Sequence, residues 1–389
     1  MIRHRYLLCL AALSVLPVQT FLASTVQVGN CLTGPQNFST ISAAVSSVPP
    51  GSTVEVCPGT YAEQVAITKA LTLVGVTSGT ANRVLITVPS AGLVQNAVSM
   101  FGESVAAQVL VEEAGPGPVN ITNITVDGTG GDTSCSVWLA GIFYGSGSSG
   151  TVDRVRASNQ IDSTCGVGIW AENANTPGET VTVQNSTVYN ADSAGIFGGS
   201  GTMPTLTFKV ANNVVSTSAA VAAIDSDSVN GDVNANDVSN SVFGVYDLSK
   251  INVQTNTIIG TTYGIFLGNG GTASGNKVSA SSQGVLLGAS GATVSNNTIM
   301  SSTTAGVELG CFSATVIGNL INDAPVGVDA APTTVALGTN TFANTATTFT
   351  NGCAAAAALA APTAQLTAIG SNSSEQWHTP ATPFGTRRK

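Results

Sequence analysis

Between residues 183 and 342 apolar and polar positions follow one recurring unit, V-x-x-N-x-V and then, a short strand later, G-I-x-L. The first half reads Val183/Ser186/Val188, Val210/Asn213/Val215, Val233/Asn236/Val238, Val253/Asn256/Ile258, Ala273/Asn276/Val278, Val294/Asn297/Ile299, Val316/Asn319/Ile321 and Leu337/Asn340/Phe342. The second half starts earlier, at Gly141-Ile142, and continues through Gly168-Ile169, Gly195-Ile196, Ala223-Ile224, Gly244-Val245, Gly264-Ile265, Gly284-Val285, Gly306-Val307 and Gly327-Val328, returning every 20 to 28 residues. A period in that range, rich in β-branched residues, Gly and Asn and lacking a helical stripe, predicts an all-β solenoid. One coil cannot bury its apolar face alone. Coils stacked about 4.8 Å apart share a continuous core.

Period-2 geometry points Ile265 and Leu267 inward and Phe266 outward. A buried Asn must have its amide satisfied, and stacked coils do this by pairing each amide with the next. Asn also tolerates left-handed backbone, so the ladder residue itself is expected at the corner between strands. Upstream, the apolar spacing of Phe38, Ile41, Ala44, Val45 and Val48 is helical, with Ser39 or Thr40 as N-cap and Pro49-Pro50 as the stop. A short N-terminal capping helix covering the first coil is the expectation. Four segments follow: a signal peptide over 1–24, an N-terminal cap over 25–53, the solenoid over 54–353, and a low-complexity tail over 354–389, expected to be disordered.

The signal reading rests on Arg3 and Arg5 before an apolar run from Tyr6 to Leu16, a break at Pro17, and small residues at Ala23 and Ser24. That run is too short to span a bilayer, so no membrane span is expected after its removal. The chain is then secreted: extracellular, periplasmic or on the cell surface. Once Cys9 leaves with the signal, Cys31, Cys57, Cys135, Cys165, Cys311 and Cys353 remain, an even set suited to disulfides. Sequential pairing is the expected arrangement. Cys311 and Cys353 stand about two coils apart, so their bridge requires the chain to fold back. No C-x-x-C pair occurs, which argues against zinc.

The segment carrying Phe38, Thr40-Ile41, Ala44-Val45, Pro49, Val54, Val56, Pro58-Gly59, Tyr61, Glu63, Val65, Ile67, Lys69, Leu71, Leu73 and Gly75 resembles the opening of pectin methylesterases. The later coils resemble β-helix repeat proteins of the pectin-lyase-like superfamily. The resemblance spans most of residues 35–350 and implies a single right-handed parallel β-helix. It does not imply one activity, because that superfamily includes lyases, hydrolases, esterases, epimerases and proteins without known catalysis. The methylesterase D-F-I-F-G strand, the polygalacturonase G-H-G and a pectate-lyase W-x-D-H are all missing here.

Charge and chemistry narrow the field. Between signal and tail stand 7 basic and 20 acidic residues, a net of −13, which opposes nucleic-acid binding. It also opposes direct binding of a polyanionic sugar unless calcium bridges the two. His4 and His378 are the chain's two histidines, so the solenoid has none and Ser-His-Asp or Cys-His catalysis is excluded.

The residue after each Gly-Ile or Gly-Val forms an outward column of Phe143, Trp170, Phe197, Asp225, Tyr246, Phe266, Leu286, Glu308 and Asp329. Aromatic platforms flanked by carboxylates suit sugar rings. Phe143, Trp170, Phe197, Tyr246, Phe266 and Glu308 are therefore the candidate polysaccharide contacts. The competing reading covers the same stripe with a loop, the tail or another chain. Asp225 and Asp227, about 7 Å apart on one strand, with Glu172 at an equivalent position, are the candidate acid and base of a glycosidase. The favoured reading of these acids is nonetheless a solvated surface role, ahead of a catalytic pair or a calcium site. No cofactor is required, although Asp225-Ser-Asp227-Ser-Val229-Asn230-Gly231-Asp232 weakly resembles a calcium loop. Three functions remain: polysaccharide binding, polysaccharide cleavage, and a structural or adhesive role.

Overall fold

A computed structural model describes residues 22–77, 84–174, 176–201, 205–279, 281–330 and 335–350. Residues 1–21 of the expected signal over 1–24, the whole expected tail over 354–389 and Cys353 lie outside the described residues. The chain is a single right-handed parallel β-helix. A typical coil comprises the strands Asn252–Gln254, Thr257–Ile259 and Tyr263–Leu267. Each pairs in parallel with its equivalent in the next coil, as in Val253 with Ala273, Ile258 with Val278 and Ile265 with Val285. The first strand of each coil builds a 14-stranded sheet. The other two faces merge into a 23-stranded sheet, because strands such as Val214–Asp227 and Asp237–Asp247 run unbroken through the corner.

The Asn residues stack as the repeat requires. Asn213, Asn236, Asn256, Asn276, Asn297, Asn319 and Asn340 form one ladder, each side-chain Nδ2 donating to the next Oδ1 at 2.9–3.0 Å. Each Nδ2 also donates to the backbone carbonyl of a coil before it, Asn276 to Val253 for example. Each Oδ1 accepts the preceding ladder residue's backbone N–H as well, Asn256 N to Asn276 at 2.9 Å. Every amide is thus shared between neighbouring coils.

The left-handed corner residue is the one before the ladder position, not the ladder Asn. Asn212, Ala235, Thr255, Gly275, Asn296 and Gly318 all have φ between 54° and 71°. The expectation failed because Asn suits both jobs. Here the amide ladder claims it, and the neighbour supplies the turn.

The Gly of G-I-x-L has a steric cause. A Cβ on Gly264 would lie 2.3 Å from the Gly284 carbonyl oxygen and 2.4 Å from Val278 Cγ1 in the coil beyond. Gly168, Gly195, Gly284 and Gly306 are crowded in the same way. At these five positions only hydrogen fits between one coil's backbone and the next coil's core side chain.

At the N-terminal end the predicted helix spans Ile41–Ser47, burying Ile41, Ala44 and Val45 against the first coils. Thr40 is the N-cap and accepts from Ala43 N at 3.2 Å. Two residues of the first coil clamp its ends. Glu63 accepts from the free N–H groups of Ile41 (2.8 Å) and Ser42 (2.9 Å). Lys69 Nζ donates to the Ser46 and Val48 carbonyls at 3.1 and 2.9 Å. An acid at the start and a base at the finish both match the helix dipole. Cys31–Cys57 closes the same end, and Cys135–Cys165 ties two neighbouring coils. We predict that Glu63→Ala destabilises the protein by about 2 kcal/mol, as it orphans two helix N–H groups. Urea unfolding checks this, and a change below about 0.5 kcal/mol would show that the clamp is ornamental.

Candidate functional site

The outward column exists and is in register. Leu110, Phe143, Trp170, Phe197, Asp225, Tyr246, Phe266, Leu286, Glu308 and Asp329 are successive partners across adjacent coils. Their aromatic members form two apolar clusters separate from the solenoid core, so they occupy the opposite face of the sheet. The column is not an open groove, however. Phe143, Trp170 and Phe197 are fully buried, and Tyr246 is 1% exposed.

At the Phe143 end the cover is the excursion between the strands Val84–Thr87 and Ser104–Val111. Its strand Ala97–Val98 turns back antiparallel onto Ser104-Val105. Phe101 meets Phe197 edge-on, and Trp138, from the start of the next coil, meets Trp170 edge-on. Phe143, Trp170 and Phe197 pack on one another at 5.2 and 5.8 Å, with ring planes 83° and 88° apart. These rings are consumed by packing. Parity correctly gives their side of the sheet but carries no information about what lies over it.

Farther along, Ala222, Phe243 and Tyr246 make a second cluster, with Tyr263 and Phe266 only partly buried at its rim. Phe243 stacks on Tyr263 and Tyr246 on Phe266, with interplanar angles of 21° and 13°. Phe266 is the predicted ring that retains solvent access.

The acids differ from solvated surface carboxylates. Glu172, Asp225, Asp227 and Glu308 are all buried. Asp225 is raised well above the usual carboxylate range, first by burial and then by the charges of Asp227 and Asp247. Its Oδ1 is fully enclosed and has no hydrogen-bond partner. Burial also lifts Asp227 to about 6, against the opposing effect of the Ser228 hydroxyl. Tyr246, in the next coil, is pushed up by burial and by both of these acids.

Asp225 and Asp227 are therefore brought together, and Glu172 is not with them. Gly199 stands between Glu172 and Asp227, placing them two coils apart. The Glu172 carboxyl instead accepts from Met100 N of the covering excursion at 2.6 Å and from Trp170 Nε1 at 3.0 Å. Burial holds it at about 8, with a further upward push from Glu112. Near the far end Glu308 is lifted to about 7 by burial and by Asp329 directly across from it.

Asp247 was not among the predicted site residues. It is buried in the next coil in register with Ser226, and its carboxylate accepts from Ser226 Oγ and from Ser249 N. Its position straight after Tyr246, at the end of a strand and two residues before Ser249, was the signal for it. Among the described residues, no three His, Cys, Asp or Glu side chains converge as a metal site, and no helix is long and apolar enough to cross a membrane.

The molecule defined by this architecture is a right-handed parallel β-helix protein. The family described as a right-handed β-helix region matches residues 140–299. Among solved structures, a GH136 lacto-N-biosidase from Eubacterium ramulus is similar at a TM-score of 0.58 and 10% identity, over 83% of this chain and 67% of that one. The A-module of a mannuronan C-5 epimerase from Azotobacter vinelandii is similar at 0.49 and 16%, over 79% and 90%. A family 28 exopolygalacturonase from Yersinia enterocolitica is similar at 0.43 and 13%, over 85% and 78%. No curated protein matches the chain.

Proposed function

We propose that the protein is secreted and binds an extracellular or cell-wall polysaccharide on the outer face of the solenoid between Asp225 and Glu308. One observation carries this reading: Asp225 is a buried carboxyl with an unpartnered oxygen, beside Asp227 and in register with Tyr246 and the partly open Phe266. An enclosed polar atom without a partner costs about 1–3 kcal/mol. Itself enclosed, that atom marks a face on which Asp227 and the partly open Phe266 keep the access that a ligand would use. The exposed part of Phe266 supplies the apolar edge on which a sugar ring rests. Phe143, Trp170 and Phe197 then act beneath the covering excursion, holding the face rigid instead of touching sugar. The two disulfides need an oxidising compartment, in keeping with secretion. The lacto-N-biosidase that shares the fold is, by its name, a carbohydrate-acting enzyme.

A second reading, cleavage of the bound glycan, is favoured by two adjacent buried carboxyls, Asp225 and Asp227, on one strand. Acid–base hydrolysis uses such a pair when their environments differ. Glu172, two coils away, would serve only by supporting the surface. The test is a polysaccharide array followed by calorimetry, with and without EDTA to detect a calcium bridge. Phe266→Ala should weaken binding at least about tenfold, with the far-ultraviolet circular dichroism spectrum unchanged to show that the fold is kept. Absence of binding to any polysaccharide removes the proposal. Release of reducing ends that survives Asp225→Asn plus Asp227→Asn removes the second reading.

A further inference from the structure

Charge is distributed unevenly around the solenoid. The outer face is built from the third strand of each coil, from Ser104–Val111 through Tyr263–Leu267 to Thr347–Thr350, and none of these strands contains Lys, Arg or His. Its outward positions hold Glu172, Asp225, Asp227, Glu308 and Asp329. Among the described residues the basic side chains lie elsewhere. Lys69 is bound to the end of the capping helix, Lys209 stands on the 14-stranded sheet, and Arg156 and Lys277 stand on second strands. Arg154 pairs with Asp153 at 3.0 Å, and Lys250 lies in the turn after Asp247.

The strongest influences on these acids are burial and one another. Asp225 is raised first by burial and then by Asp227 and Asp247, and Glu308 by burial and then by Asp329. Among the described residues they do not gather into a group of three that could hold a metal ion. The stretch left open runs from the partly exposed Tyr263 and Phe266, across the buried Leu286 and Glu308, to the partly exposed Asp329. Rings and carboxyls there offer apolar surface and acceptors, with no charged donor. A sugar hydroxyl can donate to such a carboxyl. The carboxylate of a uronate, or a sulfate ester, brings only more acceptors and a like charge.

We propose, in an inference that rests on the polysaccharide reading above, that the bound glycan is uncharged and that this face excludes polyuronates and sulfated chains. The full-length protein is tested with a matched pair: the neutral glycan that binds best on the array, and the same glycan with its primary hydroxyls oxidised to carboxylates. Oxidation should weaken binding at least about 100-fold at about 50 mM salt. Polygalacturonate and alginate should be equally weak with or without added calcium. Asp329→Lys, which sets a cation at the open end of the face, should recover at least about tenfold for the oxidised chain. Thr293→Lys, on the 14-stranded sheet, makes the same change in net charge away from the site. Equal recovery in the two variants overturns the inference, because exclusion then comes from the charge of the whole protein. Oxidised glycan that binds as tightly as the neutral one, or uronate binding switched on by calcium, also overturns it and leaves the polysaccharide reading standing. So does chitosan that outcompetes the neutral glycan and is released by high salt, since the face would then select a cation. Absence of binding to any polysaccharide removes the reading beneath and this inference with it.

Discussion

The folded protein is expected to lose stability steadily as the pH rises from about 5 to about 8.5, by about 3 kcal/mol or more from Glu172 alone. Glu172 is a buried carboxyl held at about 8, whereas in the unfolded chain it titrates near 4.3 like any other Glu. Between those values the folded state keeps a proton that the unfolded state has released. Unfolding then becomes more favourable with each step up in pH, so the contribution is complete below the unfolded value and is lost as pH rises through the folded one. Asp227 and Asp247, both lifted to about 6 chiefly by burial, add to the lower part of the window with the same sign. Thermal melts should fall by on the order of 5–10 °C across the interval. In Glu172→Gln the slope should flatten, because no proton is left to lose at that position. A melting temperature that is flat or rising between pH 5 and pH 8.5 would refute the burial of these acids.

Much of this molecule is legible in its sequence because a solenoid repeats one local solution. Val253, Asn256, Ile258, Gly264 and Ile265 meet the same neighbours as Val294, Asn297, Ile299, Gly306 and Val307, so a motif in one coil defines contacts in the next. The column from Phe143 to Asp329 followed from parity for the same reason. What lies above that column did not. The covering residues, Ala97, Met100 and Phe101, belong to an excursion that no other coil repeats among the described residues, and periodicity cannot report a feature occurring once. The acids were misjudged as solvated on similar grounds. Alternation places Asp225 and Asp227 outward, but their burial comes from the bulk of neighbours such as Tyr246 and from strands that continue through the corner. Asp247 escaped notice because its role, holding the turn at Ser249, is local and has no counterpart in other coils.

The ladder makes the sharpest quantitative demand on the fold. Asn276→Ala removes the donor to Val253 O and to Asn297 Oδ1, and the acceptor for Asn256 N and Asn256 Nδ2. The alanine leaves buried partners that water cannot reach, each worth about 1–3 kcal/mol when orphaned. Relaxation recovers part of this, and a net loss of about 4 kcal/mol is expected. Asn340 is the last ladder amide among the described residues and is only half-buried. Asn340→Ala should therefore cost about 1–2 kcal/mol. Denaturant unfolding of the two variants measures the gradient directly. Because stacked coils support each other mainly through nearest neighbours, the central loss should also split the transition, letting the coils beyond Asn276 unfold first. Equal costs at Asn276 and Asn340 would mean that the amides ride on a stack held together by its apolar core alone. A large central cost with a small terminal one identifies the shared amide as what keeps neighbouring coils in register.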